Sequence, residues 1–183
     1  MKYKLIAFDI DGTLAPSGKT LGEKEGVLQM ISEKECYRRK KEFPYLPYPQ
    51  VNETLKKLRK EAKLVIISNG NGNLQRNKLS ILKIRHYFTS LLISENVCRE
   101  IYGTIEKLNE VEKPNKFMFE KVCQEGGVNP RECLYIGNRD SDYMGARNAG
   151  WDFLRIVDHR FRMGLEGQIA IDKDEFMKIM EYL

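Results

Sequence analysis

Short runs of almost continuous apolar residues alternate along the chain with stretches in which apolar residues recur every three or four positions. Continuous apolar runs are typical of strands that are covered on both faces, as in a parallel sheet. The wider spacing is typical of helices that bury one face. The pattern predicts strands over residues 4–8, 64–67, 91–93, 133–136 and 153–157, and helices over residues 49–62, 73–82, 115–125, 141–149 and 174–182.

The alternation of strands and helices predicts a doubly wound α/β domain with a Rossmann-like parallel sheet. Residues 15–48 break the alternation, because they contain a predicted helix over residues 22–34, the basic run RRKK at 38–41 and the proline-rich PYLPYP at 44–49. We interpret this segment as a small cap insertion within a single domain of residues 1–183. The basic run is either a solvated helix face or a rim that draws anions inward.

Composition narrows the function classes without naming a reaction. The chain has 183 residues, of which 42% are hydrophobic, enough for one substantial core. Its net charge of +5 comes from charges mixed along the chain, which does not favour nucleic acid as a main partner. No apolar run approaches the roughly 20 residues that cross a bilayer. The missing signal-peptide pattern, and cysteines without metal-site spacing, predict a cytoplasmic protein with reduced thiols.

Polar residues follow several of the predicted strands, at the edge where open α/β sheets bind ligands. Oxygen ligands without a histidine or cysteine cluster suit Mg²⁺. A lysine and a Ser-Asn-Gly turn suit a phosphate. Together they predict a phosphoryl-transfer site. The residues concerned are Asp9, Asp11 and Thr13 after the first strand, Ser68, Asn69 and Gly70 after the second, Lys113 before the third predicted helix within the domain core, and Asn138, Asp140 and Asp142 after the fourth.

The spacing of Asp9 and Asp11 indicates that the two acids could have different chemical roles at one site. Alternate residues of an extended strand point to the same side, so both carboxylates would face one substrate. One can attack phosphorus while the other handles the proton of the leaving group. The alternative is an exposed strand end with two solvated acids, which the convergence of four polar stretches disfavours.

These stretches resemble the four motifs of the haloacid dehalogenase (HAD) superfamily, most of whose members are Mg²⁺-dependent phosphatases. The resemblance covers almost the whole chain. The first motif, followed along the chain by the other three in the family's order, is a highly specific combination. The matching stretches are FDIDGTL, IISNG, EKPNKFMFE and YIGNRDSDYMGARNAG, with PYPQVNETLKKL similar to the helix that precedes the second motif.

The resemblance implies a role for each matching residue. Asp9 would be the nucleophile that becomes an aspartyl-phosphate, and Asp11 would be the general acid and then the base for water. Ser68 and the amide of Asn69 would hold the phosphate, while Lys113 would neutralise Asp9 and bind the transferred group. The implied Mg²⁺ ligands are Asp9, Asp11 through its backbone carbonyl, Asn138 and Asp142.

The fourth motif departs from the family pattern, which usually begins Gly-Asp, because here Gly137 precedes Asn138. At an effective dielectric of about 20, one charge roughly 6 Å from a phosphate charge is worth on the order of 3 kcal/mol before screening. We therefore expect the asparagine to ease anion binding and to weaken metal binding. Asp140 either compensates for the missing carboxylate or, like Ser141, caps the following helix.

The sequence thus predicts a Mg²⁺-dependent phosphomonoester phosphatase acting on a small phosphorylated metabolite, as a monomer or homodimer. Three alternatives remain open at this point. One is a phosphotransferase or mutase of the same superfamily, and another is a phosphate-binding protein whose catalysis has decayed through Asn138. The third is a nucleic-acid 3′-phosphatase that uses the basic run at 38–41.

Overall fold

The computed structural model describes residues 2–17, 45–158 and 168–183. The helix predicted over residues 22–34 and the basic run at 38–41 lie outside the described residues. The interpretation of residues 15–48 as a cap insertion therefore stays a prediction.

Within the described residues, six parallel strands form one sheet in the order β3-β2-β1-β4-β5-β6. The chain runs outward from β1 to β3 on one side and continues from β4 to β6 on the other, so the strand order reverses beside β1. This arrangement confirms the predicted Rossmann-like α/β fold. The strands are β1 Leu5–Phe8, β2 Lys63–Ser68, β3 Ser90–Ile93, β4 Cys133–Gly137, β5 Asp152–Val157 and β6 Ala170–Asp172.

Helices connect the strands, and they are α1 Val51–Leu58, α2 Gly72–Ile81, α3 Ser94–Tyr102, α4 Phe117–Gly126 and α5 Asp140–Asn148. The predicted last helix is a 3₁₀ segment, Lys173–Tyr182, with non-helical backbone at Glu175. Shorter 3₁₀ turns span Arg85–Tyr87, Leu108–Glu110 and Pro130–Glu132. Strand β6 and helix α3 were not predicted. In the part of the chain that the structure describes, no helix has both the length and the apolar character needed to cross a membrane.

The sheet is covered on both faces, as its continuous apolar strands predict. Successive side chains of a strand point to opposite faces, so β1 contributes to two apolar clusters. Phe8 packs in one cluster with Leu55 of α1, and Ala7 packs in the other with Phe119 of α4. Burial on both faces holds β1 firmly and fixes the position of the residues that follow it.

Candidate active site

The carboxyl ends of β1, β2 and β4 meet at one edge of the sheet. Phe8, the last residue of β1, is in register with Ile66 of β2 and Ile136 of β4. Asp9 follows directly, and its Oδ1 accepts a hydrogen bond of 2.9 Å from the Ser68 hydroxyl. The first and second predicted motifs are thus in direct contact.

The Lys113 ammonium lies at the centre of a buried polar cluster. Its Nζ is 2.9 Å from Asp9 Oδ1 and 2.6 Å from Asp142 Oδ1. It also contacts the Tyr135 hydroxyl at 2.7 Å and the Ile67 carbonyl at 3.1 Å. Only 3% of the lysine side chain is exposed. A buried ion pair is tolerated when the remaining donors and acceptors find partners, as they do around this ammonium.

The electrostatics of this cluster follow from burial and from the two carboxylates. Burial raises the pKa of Asp9, and the Lys113 charge opposes that shift. Burial alone would lower the pKa of Lys113, but Asp142 and Asp9 raise it above its ordinary value. Burial, with the nearby Asp142 and Asp9 charges, raises the pKa of Tyr135 well above its usual range. The lysine is therefore charged and the phenol protonated at neutral pH.

Asn69 ties the second motif to the third. Its side-chain Nδ2 donates to the Lys113 carbonyl at 3.0 Å, and the Lys113 backbone N–H donates to its Oδ1 at 2.9 Å. This two-way contact fixes the loop that carries the lysine. Because the side-chain amide is engaged in this way, the predicted phosphate contact of Asn69 would use its backbone N–H.

Asp142 joins the lysine cluster to the fourth motif. Its Oδ1 faces Lys113, while its Oδ2 accepts from the backbone N–H groups of Asn138 at 3.0 Å and Arg139 at 2.9 Å. A Cβ on Gly137 would lie 2.6 Å from the Asp142 side chain, so this close approach requires glycine. Both carboxylate oxygens of Asp142 already accept hydrogen bonds from other groups of the protein, which favours a supporting role for Asp142 over direct metal contact.

Asn138 packs against the first motif. Gly12 has a φ of +80°, and the side-chain amide of Asn138 occupies the space that a Cβ at Gly12 would need. The Thr13 hydroxyl donates to Asn138 Oδ1 at 3.4 Å. The amide that stands in place of the family's aspartate is therefore next to the loop of Asp9 and Asp11.

Arg155, which sequence reasoning did not single out, supports the fourth motif from β5. Its side chain is 6% exposed, and it donates to the Asn138 carbonyl and to Asp140 Oδ1, each at 2.8 Å. The Asp140 side chain is 87% exposed and paired with this guanidinium. The helix itself is preceded by Arg139 as its N-cap residue. This placement favours neither of the two roles considered for Asp140, which were to compensate for the missing carboxylate at position 138 and to cap the following helix.

Two residues of α2 hold Asp11, and sequence reasoning missed both. Lys78 Nζ is 2.6 Å and Gln75 Nε2 is 3.2 Å from Asp11 Oδ2. Gln75 Nε2 is also 3.3 Å from the Ser68 hydroxyl. The spacing of residues along the helix is the sequence signal that could have found them, because Gln75 and Lys78 lie on the same buried side as Leu79.

Among the residues that the structure describes, no group of three or more His, Cys, Asp or Glu side chains is placed to hold a metal ion. The oxygen atoms of the first motif and its neighbours come instead from mixed sources, namely the Asp9 and Asp11 carboxylates, the backbone, and the Asn138 amide, whose Oδ1 accepts from the Thr13 hydroxyl. Any cation site here would therefore depend on neutral oxygen donors as well as on charged ones.

Comparisons with known proteins decide the family. Residues 16–156 match the family model of haloacid dehalogenase-like hydrolases. The chain is also 30% identical over 206 residues to the glyceraldehyde 3-phosphate phosphatase of Methanopyrus kandleri, across 84% of this chain and 83% of the relative. The chain belongs to the haloacid dehalogenase-like hydrolases. As a member of this family with a phosphatase relative, it is an enzyme, and the predicted class of phosphoric monoester hydrolase is confirmed.

Solved structures share the fold of this HAD-family enzyme at low identity. A Thermotoga maritima protein assigned as a β-phosphoglucomutase superposes with a TM-score of 0.74 and 17% identity, over 98% of this chain and 99% of the other. The HAD-hydrolase YfnB of Bacillus subtilis, bound to magnesium, gives a TM-score of 0.69 and 17% identity over 100% of each chain. Both confirm the predicted HAD fold.

Proposed function

We propose that this enzyme is a Mg²⁺-dependent phosphomonoester phosphatase that forms an aspartyl-phosphate on Asp9. The observation that supports this most is the position of the Asp9 carboxylate, whose Oδ1 lies 2.9 Å from both the Ser68 hydroxyl and the Lys113 ammonium. A carboxylate nucleophile needs a hydroxyl and a cation beside it to hold the phosphoryl group and offset its charge. All three side chains lie at the sheet edge where ligands bind in this fold.

The reaction would proceed in two steps. In the first, an Asp9 oxygen bonds to phosphorus as the bond to the leaving oxygen breaks, and Asp11 gives that oxygen a proton. In the second, a water molecule attacks phosphorus, the bond to Asp9 breaks, and Asp11 accepts the proton from the water. The alcohol leaves after the first step and inorganic phosphate after the second.

The oxygen donors around Asp9 fit a hard cation such as Mg²⁺. Asp9 would contribute a carboxylate oxygen, Asp11 its backbone carbonyl and Asn138 its side-chain oxygen. Asp142 would support this set through Lys113 and the Asn138 backbone. The bound cation would polarise the phosphoryl oxygens and offset their charge. The magnesium bound to the Bacillus subtilis relative supports this choice of metal.

The substrate we propose is a small phosphorylated metabolite. The Methanopyrus kandleri relative is named for glyceraldehyde 3-phosphate, which makes that compound the first to test. The cytoplasmic location and the oligomeric state, either monomer or homodimer, stay predictions.

The proposal is tested by measuring inorganic phosphate released from a panel of phosphomonoesters, including glyceraldehyde 3-phosphate, with Mg²⁺ and with a chelator. Metal-dependent release by the wild type and none by Asp9→Asn is the expected result. Transfer of the phosphoryl group to a second sugar without phosphate release would indicate a phosphotransferase instead. Phosphate binding without turnover of any compound would indicate a binding protein.

A further inference from the structure

We propose that Lys78 and Gln75 are positioning residues that fix one oxygen of Asp11 and thereby present the other for proton transfer. The inference rests on the proposed function, in which Asp11 is the acid and then the base. It assigns a role in that reaction to two residues of α2 that lie outside the four motifs.

The two side chains converge on the same atom. Lys78 Nζ lies 2.6 Å and Gln75 Nε2 lies 3.2 Å from Asp11 Oδ2. The Lys78 side chain is 2% exposed and that of Asp11 is 13% exposed, so the ion pair is shielded from solvent. Two donors on one carboxylate oxygen determine both the position of the group and the direction in which its other oxygen points.

The other oxygen, Asp11 Oδ1, is buried and has no hydrogen-bond partner among the described residues. A buried carboxylate oxygen without a partner is costly, and such an atom needs an explanation. An oxygen that must exchange a proton with a substrate cannot also be held by the protein. The asymmetry between Oδ2 and Oδ1 is therefore what an acid–base residue requires.

Helix α2 fixes the positions of the two side chains that contact Asp11. Gln75 and Lys78 are three residues apart and so lie on one helix face. The helix begins at a fixed point, because Asn71 Oδ1 accepts from the Leu74 N–H at 3.0 Å. Gln75 Nε2 is also 3.0 Å from the Asn69 carbonyl, which ties the helix to the phosphate-binding turn. A shift of Asp11 relative to the bound phosphate would have to break these contacts.

A positioning role and a merely structural role differ in their dependence on the leaving group. p-Nitrophenolate leaves phosphorus readily without a proton, whereas phenolate depends more strongly on the general acid. Loss of the Asp11 position should therefore slow the first step selectively for phenyl phosphate. The second step uses water with either substrate, so its rate should fall equally for both.

The experiment measures the pre-steady-state burst of p-nitrophenol release from p-nitrophenyl phosphate and of phenol release from phenyl phosphate in wild type, Lys78→Met and Gln75→Met. For Lys78→Met we expect a burst on phenyl phosphate slowed about 10²-fold, while that on p-nitrophenyl phosphate stays within about threefold of wild type. Gln75→Met should show the same selectivity with a smaller loss. Lys78→Arg, which keeps the cation, should recover part of the burst rate.

Asn77→Ala, an exposed substitution on the same helix, is the control and should leave both bursts unchanged. Thermal unfolding and circular dichroism establish that each variant is folded. Equal slowing of both bursts in folded Lys78→Met and Gln75→Met, or no slowing in either, would overturn the positioning role. Failure of the proposed function is distinguishable, because wild type would then release neither p-nitrophenol nor phenol from the two substrates, in the burst or in the steady state.

Discussion

The two buried lysines of the site serve the two aspartates of the first motif in different ways. Lys113 bridges Asp9 and Asp142 and also contacts a phenol and a backbone carbonyl. Lys78 contacts Asp11 at a single carboxylate oxygen, beside Gln75. Lys113 joins charged groups from several elements, whereas the contact of Lys78 with Asp11 constrains the orientation of that carboxylate.

The difference matches the tasks that we propose for the two aspartates. A nucleophile must stay in place while phosphorus approaches, and the lysine that contacts Asp9 Oδ1 is itself held by Asp142 and Tyr135. An acid–base residue must keep one oxygen available, and the contacts of Asp11 with Lys78 and Gln75 both fall on its Oδ2. Substitutions in the two regions should therefore have different effects on stability and on the two steps of the reaction.

The largest effect is expected at the nucleophile. Asp9→Asn keeps the size of the side chain but removes the attacking oxygen, and we expect kcat to fall by about 10³-fold or more. Steady-state phosphate release measures this, with thermal unfolding to show that the variant is folded. Asp174→Asn, at an exposed aspartate outside the four motifs, is the matched control. Retention of more than a few per cent of the wild-type rate would remove Asp9 as the nucleophile.

The contacts of Lys113 should make it important for stability as well as for rate. Lys113→Met leaves Asp9 and Asp142 buried without their cation, and we expect the free energy of unfolding to fall by about 3–5 kcal/mol. Denaturant unfolding measures this, and most activity should be lost as well. Lys116→Met is the control, because that side chain is 53% exposed and its removal should change stability by less than about 0.5 kcal/mol. An unchanged rate in a folded variant would show that another cation, such as Arg139, serves the phosphate.

A substitution at Asn138 tests whether that side chain contacts the metal. Asn138→Asp adds a charged oxygen next to the first motif, and Mg²⁺ prefers carboxylate over amide oxygen. We expect the half-saturating Mg²⁺ concentration to fall by roughly three- to tenfold, while KM at saturating Mg²⁺ stays level or rises because the charge repels the substrate. Rate curves against Mg²⁺ and against substrate measure both. An unmoved Mg²⁺ curve would mean that Asn138 does not contact the metal.

The smallest effect is expected at Tyr135, which contacts Lys113. Tyr135→Phe removes a hydroxyl that donates to the Ile67 carbonyl at 2.7 Å and accepts from Lys113. The lysine keeps its other partners, so we expect a loss of about 1 kcal/mol in stability and less than about fivefold in kcat. A loss as large as that of Lys113→Met would show that the lysine depends on the phenol for its position.

Most of the fold could be predicted because burial leaves a clear pattern in the sequence. The predicted strand 133–136 differs from the observed β4 Cys133–Gly137 by a single residue, because fully buried strands are continuous in apolar residues. Strand β6 is only three residues long and includes Asp172, so no apolar run marked it. Helix α3 buries only a narrow side through residues such as Val97 and Cys98.

The candidate site was predictable only where a residue belongs to a motif. Asp9, Ser68 and Lys113 follow strand ends or open a helix, and the structure brings them together. Lys78 and Arg155 lie inside regular elements, where a charged residue usually points to solvent. The helix pattern places Lys78 on the same side of α2 as Leu79, but only the tertiary structure shows which motif residues Lys78 and Arg155 contact.

The measurement that tests the central claim most directly is the chemical identification of the phosphorylated intermediate. Wild-type enzyme would be quenched with acid during turnover of its best substrate, reduced with borohydride and digested for peptide mass spectrometry. Borohydride converts an aspartyl-phosphate to homoserine, and we predict homoserine at position 9 and at no other aspartate. Phosphate found on Ser68, whose hydroxyl lies 2.9 Å from Asp9 Oδ1, or no modified residue under conditions of rapid turnover, would contradict the account.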